Sequence, residues 1–157
     1  MLTVLNEAKY QGFKRIVYAT DLAEKDLEVI NELAEMARMF ESEIEVIHVA
    51  EDEEFENSEK VAKFKELLRE KISYANLNFE ILISKSVQDR LISYIETNYI
   101  AMISMLEKEN KNILQKWFQG DLVKQMTFNI KIPLLSFNEK FVDKILEKRL
   151  KEAVNVE

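Results

Sequence analysis

The sequence has no cysteine, one histidine, one proline and two glycines among its 157 residues. The missing cysteine excludes disulfides, thiolate metal sites and cysteine nucleophiles. Gly12 and Gly120 are too few for a glycine-rich loop, so any mechanism that folds backbone closely around a phosphate lacks its usual material. Acidic residues outnumber basic ones, 29 to 22. The net charge of −7 and a pI near 5.0 argue against a nucleic-acid surface. No apolar run reaches the roughly 18 residues of a membrane-spanning helix. The amino terminus, Met1 to Glu7, lacks the basic start and long apolar run of a signal peptide, and the expectation is a cytoplasmic protein. With no linker, repeat or low-complexity stretch, a chain of this length is expected to fold as one domain with a full core.

Short β-branched runs alternate with longer amphipathic ones. Residues 1–13 are a weakly patterned head. Arg15 to Thr20 reads as a strand that ends at Asp21. Asp21 lies three residues before Glu24, an acidic version of a capping pattern. Leu27, Ile30, Leu33, Ala34, Ala37 and Phe40 then recur at helical spacing, with Glu28, Glu32, Glu35 and Arg38 opposite. Glu43 to Ala50 reads as a second strand. Glu51 to Glu59 holds six acidic residues and no basic one, a solvated loop before the helix traced by Val61, Phe64, Leu68, Ile72 and Ala75. Phe79, Ile81 and Ile83 alternate as a third strand. Ser86, with Asp89 three residues on, caps a helix carrying Leu91, Ile92 and Ile95. This strand–helix alternation predicts a parallel, doubly wound sheet with right-handed crossovers.

The stretch Tyr99 to Phe137 carries the functional question. Tyr99 to Met105 reads as a fourth strand, followed by a polar loop through Glu107 to Asn112. A short helix opens at Gly120-Asp121 and runs to about Phe128, and Ile132 to Phe137 is a fifth strand. A loop that leaves the carboxyl end of a buried strand and feeds a helix start is where open α/β sheets hold ligands. After Asn138, the apolar stripe Phe141, Val142, Ile145, Leu146 and Leu150 predicts one more amphipathic helix. Such a helix is marginal alone in water, so it must bury against the domain's flank or across a dimer.

These pieces together resemble the universal stress protein family over roughly Lys14 to Phe137. The matching features are the strand Ile16-Val17-Tyr18-Ala19-Thr20-Asp21, the alanine-bearing helix Leu27 to Phe40, and Ile47-His48-Val49 closing the second strand. To these are added the Met-rich fourth strand, Gly120 before a short helix, and Ile132-Pro133-Leu134-Leu135. The resemblance implies a three-layer α/β/α sandwich with a five-stranded parallel sheet, order 3-2-1-4-5. It also implies a family domain over 1–137 with residues 138–157 as a helical extension. It further implies a homodimer, and ATP or AMP at the switch point between the first and fourth strands, with Asp21, Val49, Gly120 and Asp121 as the nucleotide-site positions. ATP-binding members carry Gly, two residues, Gly, nine residues, Gly, then Ser or Thr. Those positions here are Glu107, Asn110, Gly120 and Asp121, so one glycine of three is kept and a carboxylate replaces the hydroxyl. The resulting expectation is a regulatory or binding protein with a vestigial site, no cofactor taken through the usual glycine loop, and no enzymatic activity. The alternative is an adenosine- or AMP-type sensor, and a further small ligand or protein partner stays open. Apolar Ile132 to Phe137, last in the sheet order, is expected at the centre of a two-fold dimer.

Each residue also has a plainer role. Asp21 can simply cap a helix. His48 closes a buried strand with no cysteine partner and no nucleophile-elbow serine, which favours packing over catalysis. Carboxylates and His48 form no ligand spacing for a metal, and the run Glu51 to Glu59 lacks the glycine and ordered acidic spacing of a calcium loop. Trp117-Phe118 is expected to pack against the sheet rather than anchor a partner. Met36, Met39, Met102, Met105 and Met126 are expected to fill gaps in the core.

Overall fold

The computed structural model describes residues 2–3, 12–107 and 130–154. In order these form β1 (Leu2–Thr3), β2 (Arg15–Ala19), α1 (Glu24–Phe40), β3 (Glu43–Ala50), a 3-10 turn (Glu54–Asn57) and α2 (Glu59–Lys71). They continue with β4 (Leu77–Ile83), α3 (Val87–Thr97), β5 (Met102–Glu107), β6 (Leu134–Asn138) and α4 (Glu139–Val154). The sheet order is β1-β6-β5-β2-β3-β4, and every pairing from β6 to β4 is parallel. The expected five-stranded order is therefore present, with one addition. β1 lies antiparallel on the outer edge of β6, setting Leu2 opposite Leu135 and Thr3 opposite Leu134. Two residues are too short a run to leave any periodic signal in the sequence.

Both faces of the sheet are buried, as a parallel sheet requires. Successive residues of each strand divide between the faces. Ile16, Tyr18, Ile44, Val46 and Met102 pack with Leu27, Ile30 and Leu33 of α1 and with Phe64 and Leu68 of α2. Val17, Ala19, Ile47, Val49, Ile103 and Met105 form the opposite layer with Leu91 and Ile95 of α3. The expected caps of α2 and α3 are present. Ser58 accepts from the Val61 amide at 3.4 Å, and Ser86 from the Asp89 amide at 3.3 Å. Asn138, the last residue of β6, caps α4 by accepting from the Phe141 amide at 2.9 Å.

The tail helix covers the domain's own flank. Val142 is fully buried in the α1-side core and Leu146 packs against it. Arg149 bonds to Glu28 and Glu32 of α1, and Lys25 pairs with Asp143 at 3.0 Å. The Asp143 hydrogen bond, first, raises the pKa of Lys25.

Three sequence expectations need correction. The fourth strand starts at Met102 rather than Tyr99, because Tyr99 turns the chain after α3 with φ at 54°. It runs on through Leu106 and Glu107, which pair with Phe137 and Asn138. The fifth strand starts at Leu134, after Pro133, whose carbonyl accepts from Ile103 at 3.1 Å. Met39 is not a gap-filler: it projects from the last turn of α1 at 74% exposure.

Candidate functional site

The site is laid out by strand register. Ile47, Ala19, Met105 and Ser136 stand in one row across β3, β2, β5 and β6. Two residues further along each chain come Val49, Asp21, Glu107 and Asn138. Val49 lies within β3, and Asp21 follows β2 by two residues, in the turn before α1. Glu107, the position matched to the family's first glycine, is the exposed last residue of β5 and pairs with Asn138. From β2 the chain crosses to β3 on one side, while β5 lies on the other, so Asp21 sits at the switch point of the sheet. Asn110, Trp117-Phe118, Gly120, Asp121, Met126 and the helix expected to run to Phe128 lie outside the described residues.

The turn that carries Asp21 is held from both sides. Tyr18 donates its hydroxyl to Asp26 Oδ1 at 2.9 Å, and Thr20 donates its own to Asp26 Oδ2 at 2.6 Å. The Thr20 hydroxyl oxygen accepts in turn from the Leu22 amide at 2.9 Å. Leu22 takes a φ of 65°, an uncommon conformation for a branched residue. The Ala23 amide donates to Asp21 Oδ1 at 3.2 Å and to Asp26 Oδ2 at 3.3 Å. On the α2 side, Lys60 Nζ donates to the Asp21 carbonyl at 3.0 Å. The capping expectation is thus corrected by two residues. Ala23, which has no side-chain oxygen, holds the N-cap position; the Asp26 carboxylate accepts from the Ala23 amide, the reciprocal half of a capping box, and the Asp26 amide bonds to the Ala23 carbonyl at 3.0 Å.

Tyr18, Thr20 and Asp26 are all buried, and none was singled out from the sequence. A signal was there: Asp26 falls on the same helical stripe as Ile30, Leu33 and Ala37, so a carboxylate interrupts an apolar face. Burial first, and then the Asp26 carboxylate, pushes the Tyr18 phenol well above its usual range. The hydroxyl is therefore a standing donor.

His48 is 3% exposed, stacks on Phe55 of the 3-10 turn with ring centroids 5.2 Å apart, and places Nδ1 2.9 Å from the Thr20 carbonyl. Desolvation lowers its pKa, so the ring is neutral and Nδ1 is the donor. That is a packed histidine supporting the same turn. A separate polar cluster lies at the opposite, amino end of the sheet. There Arg15 pairs with Glu45 at 3.4 Å, and Asn78 also donates to Glu45 at 3.5 Å. A cavity of about 160 Å³ between Ile95, Tyr99 and Ile132 opens at that end as well, away from Asp21. Among the described residues no group of three His, Asp or Glu could hold a metal ion, and no helix is long and apolar enough to cross a membrane.

Among solved structures, the chain is similar to a universal stress protein in complex with cAMP. The TM-score is 0.61 at 9% identity, over 80% of this chain and 97% of that one. A universal stress protein from Archaeoglobus fulgidus in complex with dAMP gives 0.58 at 16% identity, over 79% and 97%. A universal stress family protein from Burkholderia pseudomallei gives 0.50 at 13% identity, over 80% and 96%. At these identities the likeness is one of fold. No curated protein sequence matches the chain. The profile of the universal stress protein family matches residues 12–96, more than half of the sequence, from the head of β2 through α3. The chain belongs to the universal stress protein family.

Proposed function

We propose that this chain is a cytoplasmic regulatory binding protein that holds an adenosine- or AMP-type nucleoside at the carboxyl ends of β2, β3 and β5, and that it does not take ATP through a glycine loop. The observation that carries the reading is the register Ile47, Ala19, Met105 at the switch point, from which Val49, Asp21 and Glu107 each follow two residues on: an apolar side chain, a carboxylate able to accept from sugar hydroxyls, and the strand end. Family members of the same fold solved with cAMP and dAMP support a mononucleotide as ligand class. Glu107 and Asp121 at glycine-motif positions count against a triphosphate, since a side chain blocks close backbone approach and each carboxylate repels the anion. The role is binding rather than catalysis. His48 is the residue best suited to acid–base work, and it is buried with Nδ1 on a backbone carbonyl.

The assembly proposed is a homodimer through Ile132 to Phe137, with residues 138–157 as an extension of the 1–137 domain. β1 already covers Leu134 and Leu135 on the outer edge of β6, so the pairing must centre on the Phe137 end or displace β1. The deciding experiment is calorimetry of the purified protein with adenosine, AMP and ATP, repeated on Asp21→Ala. Saturable AMP binding that Asp21→Ala removes is expected, with ATP weaker than about millimolar. Micromolar ATP affinity, or AMP binding indifferent to Asp21, overturns the reading.

A further inference from the structure

We infer that Tyr18, acting through Asp26 and Thr20, is a positioning residue that sets the turn presenting Asp21. The inference rests on the nucleoside reading only for the purpose of the turn, not for its mechanism. A buried hydroxyl and a buried carboxylate are each unfavourable in a core unless well bonded. A phenylalanine at 18 and an alanine at 26 would fill the same layer between β2 and α1 without either burden. The polar pair is instead wired to one place. Two of its bonds lead to Thr20 and Ala23, among the four residues that follow β2. The Tyr18 hydroxyl fixes one oxygen of Asp26, and the other oxygen receives the Thr20 hydroxyl and the Ala23 amide. The Thr20 oxygen then holds the Leu22 amide, with Leu22 at a φ of 65°. A leucine keeps that backbone only where its surroundings determine it. With Leu22 turned this way, the Ala23 amide reaches Asp21 Oδ1 and fixes that carboxylate oxygen.

The chain of bonds runs Tyr18 to Asp26 to Thr20 to Leu22, and its loss at either end should free the turn without emptying the core. Tyr18→Phe removes one oxygen and no packing carbon. Thr20→Val removes the hydroxyl isosterically, and Thr20→Ser keeps it. The experiment measures amide hydrogen exchange in the ligand-free variants and their AMP affinity. The Ile103 amide, bonded to the Pro133 carbonyl in the centre of the sheet, reports global stability. Tyr18→Phe and Thr20→Val should speed exchange at Leu22 and Ala23 by about tenfold relative to Ile103, and weaken AMP by about tenfold, while Thr20→Ser stays near wild type. Absence of AMP binding to the wild type would overturn the nucleoside reading and leave the exchange arm to decide how the turn is held. Unchanged exchange at Leu22 and Ala23 in both variants would overturn the inference, as would faster exchange with undiminished AMP affinity.

Discussion

Val142→Ala tests whether α4 is part of the fold or an appendage. The side chain is fully buried between α4, α1 and the sheet. Truncation removes two carbons, worth about 0.8 kcal/mol each in lost burial, and leaves a cavity that adds to the loss. The expected destabilisation is about 2 kcal/mol. For a domain of this size that lowers Tm by about 4–8 °C. Leu150 lies on the same helix at 68% exposure, so Leu150→Ala should stay within about 0.5 kcal/mol of wild type. Arg149→Ala falls between them, since its partner Glu28 is only 12% exposed at the side chain while Arg149 itself is 41% exposed. Urea denaturation followed by circular dichroism gives the three values under one condition. A Val142→Ala loss below about 0.5 kcal/mol, or equal losses at 142 and 150, would show that α4 does not dock on α1 and that its apolar stripe serves something else.

A pH dependence follows from His48. Its folded pKa lies below the unfolded value near 6.5, so the stability it contributes is fully present above about pH 6.5 and is lost as pH falls from there through the folded value. The wild type should lose more stability across that window than His48→Asn, and equal slopes in the two proteins would remove His48 as the cause. At the loop, the triple change Glu107→Gly, Asn110→Gly, Asp121→Ser should raise ATP affinity by at least tenfold in calorimetry; no gain would mean that the carboxylates and missing glycines are not what limits ATP. At the sheet edge, the wild type should scatter light as a dimer at micromolar concentration, and deleting residues 1–3 should tighten it by uncovering Leu134 and Leu135. A monomer in both forms would dispose of the edge-paired dimer. Leu134 is a poor site for a charged probe of that edge, because its side chain is buried in the α3-side core.

The strands and helices were legible where one physical signal dominated. The continuous burial of β2 and the apolar stripe of α1 are direct consequences of residue order, and so are the caps at Ser58 and Ser86. Element ends were legible only approximately. Apolar Tyr99-Ile100-Ala101 looks like strand, but Tyr99 turns at positive φ and the Ala101 amide bonds to the Arg15 carbonyl as the chain enters the sheet. Whether a strand extends to Glu107 depends on a partner at Asn138, thirty-one positions away, which no local pattern contains. β1 depends on the same kind of long-range pairing. Glu45 was hidden for another reason. A glutamate between Ile44 and Val46 reads as solvent-facing, yet Arg15 and Asn78 bond to it and it is only 8% exposed.

The turn after β2 was legible as a strand end, but the bonds that hold it required the structure. Asp21 and Glu107 are far apart in sequence; the register of Ala19 opposite Met105 brings each of them, two residues on, to the carboxyl ends of the neighbouring strands β2 and β5. That juxtaposition ranks the ligands. Each carboxylate about 4 Å from a phosphate charge costs about 1 kcal/mol in water-like surroundings and about 4 kcal/mol at an effective dielectric near 20. A neutral nucleoside bears none of this, a monophosphate bears part of it, and a triphosphate bears it several times over. The hydrogen bonds that Asp21 can accept from sugar hydroxyls are common to all three. Affinity should therefore fall from adenosine to AMP to ATP, and the penalty on ATP should shrink as salt screens the exposed Glu107. A glycine loop reverses that order by turning backbone donors toward the phosphates, so the order measured at low and high salt reports directly on which chemistry governs this strand end.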